Sequence, residues 1–265
     1  MTSLVSVGLE RIAALHASEL PQKDNLCGCF WGAIALRAAG LEDVDQDLVA
    51  VEAGTILPAG DPVDHVPPGE EPRRDYRLRL PSTTDPSGLR TGTAAPALAR
   101  AVERLSDGRL AVVPVAGPWN GETTAALVDV TAAGAPATTL VANIRTGPLW
   151  SSRSHPAVLL SYLATQEGDA APHEWDVGHF VNLAASVRGP VGTLLVVRDS
   201  YRSLGWSGYH LQPADAFARA LERDDGQEGG VLCIAPAGEA AALRRRLAGA
   251  GYDIRHWDNG TPFSP

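Results

Sequence analysis

QKDNLCGCFWGAIALRAAG, residues 22–40, passes from four polar residues into an apolar run that carries a single charge. Phe30–Ala39 is apolar on nearly all sides, which predicts a helix buried in the middle of a domain. Gly40 is a typical C-terminal stop for such a helix. Cys27 and Cys29 therefore lie at its N-terminal end. A thiol reacts as the thiolate, which a helix N-terminus stabilises, so both cysteines are candidate nucleophiles.

Composition and charge narrow the class of protein. The 265 residues are 45% hydrophobic and 20% charged, which is ordinary for a soluble globular chain. The net charge is −9 and the longest basic run is residues 244–246, so no nucleic-acid partner is expected. Eighteen apolar residues never follow one another, so we expect no membrane contact. The N-terminus lacks the pattern of a secretory signal, and the expected location is cytoplasmic.

The three cysteines are too few for a disulfide framework. Cys233 lies inside the apolar run VLCIA and is expected to be a core residue. Cys27 and Cys29 are separated by one residue, whereas redox and zinc motifs have two between their cysteines. No cofactor is expected from this pattern.

The remaining chain alternates predicted helices and strands around one long irregular segment, residues 55–93, which is rich in proline and glycine. We interpret that segment as an insertion or lid. The expected organisation is one domain of two lobes, with the cysteine helix in residues 1–54 and a mixed α/β lobe in residues 94–265. The pattern also predicts a helix over Leu4–Leu20 and a last short strand over Tyr252–His256.

A turn at residues 188–190 joins two predicted strands, of which the first begins at His179 and the second ends at Asp199. If Val187 pairs with Val191, His179 lies directly opposite Asp199 and on the same face of the sheet. A register that differs by one residue turns Asp199 to the other face. The count thus allows a histidine–aspartate contact without requiring it.

Four segments together resemble a known family: residues 22–31, Gly178-His179-Phe180-Val181, Asp199-Ser200-Tyr201, and the glycine- and aromatic-rich residues 205–209. They are similar to the papain-like cysteine peptidases, and most of all to the bacterial branch that includes the bacteriocin-leader-cleaving, double-glycine-type peptidases. The resemblance covers roughly residues 20–40 and 175–212. It implies an α+β papain-like fold, in which a central cysteine helix packs against an antiparallel sheet that carries the histidine and aspartate.

The resemblance also implies roles for individual residues. Cys27 would be the nucleophile, His179 the general base and then acid, and Asp199 the carboxylate that orients the histidine. Gln22 would donate a side-chain hydrogen bond to the oxyanion, together with the backbone N–H of the nucleophile. Cys29 is the alternative nucleophile, because in papain itself an aromatic residue follows the reactive cysteine.

The spacing departs from the family pattern at one point. The family glutamine usually stands six places before its cysteine, whereas Gln22 stands five before Cys27 and seven before Cys29. We prefer Cys27, because a helix that begins with cysteine and glycine fits the bacterial branch better.

A metal site is the competing interpretation of the same residues. Its ligands would come from Cys27, Cys29, His173, Glu174, Asp176 and His179. Neither the cysteine pair nor the histidine pair has a familiar zinc spacing, so no metal is expected.

The function that the sequence favours is a cysteine-dependent hydrolase, either a peptidase or an amidase, that acts on a peptide or an amide-containing small molecule through an acyl-thioester. Two alternatives stay open. One is a papain-fold acyltransferase, transpeptidase or cyclase of natural-product biosynthesis, and the other is a non-catalytic papain-fold binding protein. The sequence leaves the oligomeric state undetermined.

Overall fold

The structure, a computed structural model, describes residues 2–60, 66–84 and 91–263. Within these ranges the chain has seven strands and eight helices. The strands are β1 (Ser3–Ser6), β2 (Leu110–Val115), β3 (Thr139–Arg145), β4 (Gly178–Arg188), β5 (Thr193–Arg198), β6 (Tyr209–Pro213) and β7 (Gly230–Pro236). The helices are α1 (Arg11–Glu19), α2 (Cys27–Ala38), α3 (Gln46–Ala53), α4 (Ala95–Leu105), α5 (Gly121–Gly134), α6 (Pro156–Thr165), α7 (Ala214–Glu222) and α8 (Ala237–Gly249).

The strands form one antiparallel sheet in the order β2-β7-β3-β4-β5-β6, and β1 pairs with the second half of β4. Helices cover both faces of the sheet. Successive residues of a strand point to opposite faces, so neighbouring residues pack against different helices. Val112 belongs to the core that includes α1 to α4, and its neighbour Val113 belongs to the core that includes α5, α7 and α8. The protein is therefore of the α+β class with an antiparallel sheet.

Helix α2 begins at Cys27 and ends at Ala38, close to the predicted bounds. Nine consecutive residues, 28–36, are buried, as expected for a helix without a polar face. The indole N–H of Trp31 donates to the carbonyl of Phe180 in β4 at 3.2 Å. This bond fixes the helix to the sheet next to the start of β4.

The β4–β5 hairpin differs from the predicted register. Val187 pairs with Leu194, not with Val191, and a bulge at Ala184 shifts the register further along the strands. Beyond the bulge, Leu183 pairs with Val197, so the continued register places Asp199 level with residue 181, on the face that residue 179 also occupies. Without the bulge Asp199 would point to the opposite face. The predicted shared face is therefore right, although the pairing behind the prediction is wrong.

The two ends of the 55–93 segment meet in a short antiparallel bridge, which we call the neck. The N–H of Ile56 donates to the carbonyl of Gly92 at 3.0 Å, and the N–H of Gly92 donates back at 2.7 Å. Beside the neck, the hydroxyls of Thr55 and Thr93 lie 2.8 Å apart and both contact Cys29 in α2. Both ends of the segment are thus attached to the helix that carries Cys27.

Residues 70–77, which we call the strap, run along the loop that precedes α2. The carboxylate of Asp24 accepts from the backbone N–H of Arg73 and from Nε of Arg74, at 3.0 and 2.9 Å. The hydroxyl of Tyr76 donates to the carbonyl of Asp24 at 2.8 Å. The strap therefore fixes the loop that leads into Cys27.

Two local predictions need correction. Leu4–Leu20 is not one helix, because Ser3–Ser6 pairs with β4 as a strand and α1 begins only at Arg11. Tyr252–His256 forms no strand, and Asp253 instead bonds the backbone of residues 116 and 117.

Among the described residues, none of the helices has both the length and the apolar character needed to cross a membrane.

Candidate functional site

Cys27, His179 and Asp199 lie together where the first residue of α2 meets the start of β4. His179 Nε2 lies 3.1 Å from Oδ1 of Asp199, and both side chains are fully buried. Cys27 is half-buried and lines the same cleft as His179, and its thiol is near enough to raise the pKa of the imidazole. Because Nε2 faces Asp199, Nδ1 is the ring nitrogen left for the thiol. The structure thus brings the three predicted residues together, with His179 bonded to Asp199 and Cys27 beside them in the cleft.

The electrostatics of the pair favour a charged histidine. Burial by itself lowers the pKa of His179, but the negative charge of Asp199 and the hydrogen bonds to Asp199 and Cys27 raise it to about 10. Burial by itself raises the pKa of Asp199, but the charge and hydrogen bond of His179 hold it well below its usual range. The opposite charges therefore stabilise each other where water is excluded.

Gln22 is buried and lines the same cleft as Cys27. Its Nε2 donates to the carbonyl of Lys23 at 3.2 Å, and its Oε1 accepts from the hydroxyl of Ser200 at 2.5 Å. Because a carbonyl can only accept, these two bonds fix which end of the amide is the donor. The second N–H of the amide group is left for a ligand in the cleft.

Two aromatic rings cover the imidazole of His179. The ring of Tyr201 stacks on it with an interplanar angle of 24°, and the ring of Trp175 meets it edge-on at a centroid distance of 5.1 Å. Burial raises the pKa of the Tyr201 hydroxyl well above its ordinary value, with the nearby charge of Cys27 as the next cause. The phenol is therefore neutral at physiological pH, and the histidine is shielded from water.

The backbone of Asp199 is fixed from behind by α1 and by the residues that lead into β6. His16 Nε2 lies 2.6 Å from the carbonyl oxygen of Asp199, and the N–H of Asp199 donates to the carbonyl of Gly208 at 2.6 Å. Gly208 has a φ of +82°, and a Cβ there would lie 2.9 Å from the carbonyl oxygen of Asp199. Only glycine fits this position without a shift of its neighbours.

Cys29, the alternative nucleophile, lies in a different environment. It is fully buried, and its sulfur lies 3.3 and 3.4 Å from the hydroxyls of Thr55 and Thr93. Burial raises the pKa of its thiol to about 12, more than the two hydroxyl contacts lower it. Cys29 is thus protonated at physiological pH and packs inside the lobe.

The residues of the alternative metal site are bonded to other partners. Asp176 is bound by the guanidinium of Arg145 at 2.5 and 3.0 Å, and Glu174 accepts from the N–H of Ser152 at 3.1 Å. Across the described ranges, no group of three or more histidine, cysteine, aspartate or glutamate side chains is arranged to hold a metal ion.

Cys27 and His179 open onto a cleft of about 330 Å³. Its wall is part polar and part apolar, and it contains hydrogen-bonding side chains from several parts of the chain, among them Gln22, Asn143, Arg223, Gln227, Asn259 and Thr261. The buried guanidinium of Arg223 donates to Asp225 and Gln227, so the charge of this wall is balanced. Such a lining suits a neutral, hydrogen-bonding ligand such as an amide.

The sequence does not identify all the side chains around Cys27, His179 and Asp199. Ser200 enters it only as a neighbour of Asp199, yet its hydroxyl bonds Gln22 and lies 3.4 Å from His179 Nε2. His16 reads as one position of an amphipathic helix, and His210 as a residue near a turn, whereas both are buried beside Asp199. In the sequence, the signal for Ser200 is its position just after a predicted strand, and the signal for His16 is its position on the apolar side of a predicted helix.

Comparison with known proteins gives a family without a known activity. No curated protein and no solved structure matches the chain. The model of a family of unknown function, DUF6885, matches residues 6–258. Because this match spans nearly the whole sequence, the chain belongs to the DUF6885 family.

Proposed function

We propose that this protein is a papain-like cysteine hydrolase, a peptidase or amidase that uses Cys27, His179 and Asp199. The observation that carries the proposal is His179, which is bonded to the buried carboxylate of Asp199 and shares its cleft with the half-buried thiol of Cys27. A histidine oriented in this way takes up the thiol proton and leaves a thiolate at the start of a helix.

The chemistry follows from these positions. The sulfur of Cys27 attacks the acyl carbon of an amide, and the carbonyl oxygen becomes an oxyanion that accepts from Gln22 Nε2 and from the backbone N–H of Cys27. That backbone N–H has no partner within α2, because it belongs to the first turn. The C–N bond then breaks as His179 gives its proton to the departing nitrogen. An acyl-thioester on Cys27 is left.

Water completes the reaction. His179, now neutral, removes a proton from a water molecule that attacks the thioester, and the acid product leaves as the Cys27 thiol re-forms. The substrate class is a peptide or an amide-containing small molecule, because the cleft wall offers neutral hydrogen-bonding groups. The proposed location is cytoplasmic, since a nucleophilic thiol must stay reduced.

Alkylation by an iodoacetamide probe at pH 6 tests the thiolate. We expect one thiol to react about a hundredfold faster than a free cysteine, because His179 is placed to take up its proton. Cys27→Ala should abolish the fast reaction, and His179→Ala should slow it about a hundredfold. His256→Ala, which changes an exposed histidine outside the site, is the control. If the wild type and all the variants are labelled at the same slow rate, the proposal is wrong.

A second measurement separates hydrolysis from transfer. The protein is incubated with a library of capped peptides and the products are weighed by mass spectrometry, with and without an added amine. We expect products that have gained water in a Cys27-dependent manner. Products that carry only the amine would identify a transferase instead.

A further inference from the structure

The two carboxylate oxygens of Asp199 have different hydrogen-bond partners. Oδ1 accepts from His179 Nε2 at 3.1 Å and from the backbone N–H of Tyr201 at 3.2 Å. Oδ2 faces Nε2 of His210 at 3.8 Å. Both His210 and Asp199 are buried, so water does not compete for this oxygen.

His210 reaches the carboxylate because of the strand register. His210 pairs directly with Val197 in the β5–β6 ladder, and the next same-face position along β5 is residue 199. His179 stands in the equivalent diagonal position on β4, on the other side of β5. Diagonal neighbours on one face are close enough for long side chains to touch. Asp199 is therefore flanked by one histidine from each adjacent strand.

Gln212 determines which nitrogen of His210 carries the proton. The N–H of Trp150 donates to Gln212 Oε1 at 2.8 Å, and Gln212 Nε2 donates to the carbonyl of Trp150 at 2.9 Å. These two backbone bonds fix the orientation of the amide. Gln212 Nε2 also lies 3.0 Å from His210 Nδ1, so Nδ1 must accept. The neutral ring therefore carries its proton on Nε2, which points at Asp199.

The Nε2 atom of His210 has no other hydrogen-bond partner within the described ranges. A buried N–H without an acceptor is costly, and a shift of about 0.6–1 Å would bring 3.8 Å into the normal hydrogen-bonding range. Other titratable groups nearby are His173, whose ring centroid is 6.1 Å away, Glu174 next to it, and His16 on the Asp199 carbonyl. Asp199 Oδ2 is the acceptor that the ring geometry favours.

We propose that His210 is a positioning residue whose Nε2–H holds Oδ2 of Asp199, so that Oδ1 stays directed at His179. Through it, Gln212 and the backbone of Trp150 anchor the Cys27–His179–Asp199 chain to β6. The tautomer of His210 and its contact with Asp199 follow from geometry alone. The consequence for the reactivity of the Cys27 thiol rests on the proposed function.

The first test is an NMR measurement on the wild-type protein labelled with ¹⁵N-histidine. We expect His210 to be the neutral Nε2–H tautomer near pH 7, with Nδ1 unprotonated, and Asp199→Asn to shift its Nε2 resonance. A Nδ1–H tautomer, or a Nε2 resonance that Asp199→Asn leaves in place, would overturn the proposal. This test needs no enzymatic activity, so it stands even if the proposed function fails.

The second test compares His210→Gln with His210→Leu, two substitutions of similar size that differ in the donor. The rate of Cys27 alkylation is measured from pH 4.5 to pH 9. We expect His210→Leu to slow the alkylation of Cys27 about tenfold below pH 6, because the midpoint on the acid side of the pH–rate profile moves to higher pH. His210→Gln keeps an N–H donor and should react within about twofold of the wild-type rate. Equal profiles for wild type and His210→Leu would overturn the positioning role.

The two tests separate the two ideas. If wild-type Cys27 reacts no faster than a free thiol, the proposed function is wrong, while the NMR result still decides whether His210 holds Asp199. Thermal unfolding of both variants is measured in parallel. A loss of rate shared equally by His210→Gln and His210→Leu would show a packing role only and would also overturn the proposal.

Discussion

Gly28 lies against Phe180, the residue that follows His179, so closely that a Cβ built on Gly28 would be 3.2 Å from Phe180 Cδ2. The same Cβ would lie 3.0 Å from Leu98 Cδ2 on the other side. The glycine after Cys27 therefore sets how near the first turn of α2 approaches the strand that carries His179. The cysteine–glycine pair in the sequence has a physical reason in this contact.

We expect Gly28→Ala to push the start of α2 away from β4 and to slow Cys27 alkylation about tenfold, because reacting groups lose alignment with small displacements. The free energy of unfolding should fall by about 1 kcal/mol from overpacking. Gly32→Ala is a matched control, since its Cβ would lie 3.1 Å from both Leu98 and Val49 but one turn further from His179. Equal rates in the two variants would contradict the prediction.

The His179–Asp199 pair should make stability depend on pH. The pKa of His179 is raised to about 10, so its contribution is complete below its unfolded value of about 6.5 and is lost as the pH rises through 10. The pKa of Asp199 is lowered, so its contribution is present above about pH 4 and is lost as the pH falls further. The pair therefore stabilises most between about pH 4 and pH 6.5.

Asp199→Asn should remove both contributions. We expect its free energy of unfolding to be lower than that of the wild type by about 2 kcal/mol near pH 6, with the difference shrinking towards pH 10 and towards pH 3. Urea unfolding at several pH values measures it. Asp43→Asn, at an exposed position, is the control. A difference that does not vary with pH would argue against a charged pair.

Cys29 should be dispensable for reactivity. Because burial raises the pKa of its thiol to about 12, we expect Cys29→Ala to leave the rate of Cys27 alkylation unchanged. The free energy of unfolding should fall by about 1–2 kcal/mol, from lost packing and lost contacts with Thr55 and Thr93. Cys233→Ala, another fully buried thiol, provides the comparison. Loss of fast alkylation in Cys29→Ala alone would reverse the assignment of the nucleophile.

The strap should depend on Asp24, whose carboxylate accepts from Arg73 and Arg74. We expect Asp24→Ala to raise the rate of tryptic cleavage after these arginines about tenfold, because local opening becomes easier. Asp43→Ala, which removes an exposed carboxylate, should leave that rate unchanged. Unchanged cleavage in Asp24→Ala would mean that other contacts hold the strap.

The sequence predicts the parts of the fold that follow from continuous patterns. The apolar run of α2 and the hairpin that carries His179 are both marked by long apolar runs with clear end signals, and both are present. β1 is different, because four residues cannot distinguish a helical pattern from a strand. Its pairing with β4 is tertiary, and Gly8, with a φ of +96°, separates it from α1.

The candidate site shows the same limit. The order of Cys27, His179 and Asp199 is visible in the sequence, but the bulge that brings Asp199 to the correct face is not. No local signal marks Ala184, because the bulge lies where the partner of β4 changes from β3 to β1. His210 is likewise identified only by the strand beside it.

The neck at Ile56 and Gly92 has a further consequence for how members of this family can differ. The chain leaves and re-enters at one bonded point, so the free energy of closing the intervening loop changes only logarithmically with its length. Cys29 holds that point to α2 whatever lies between. We expect changes in the length of this stretch to leave Cys27 in place as long as the strap, which fixes the loop before α2, is kept.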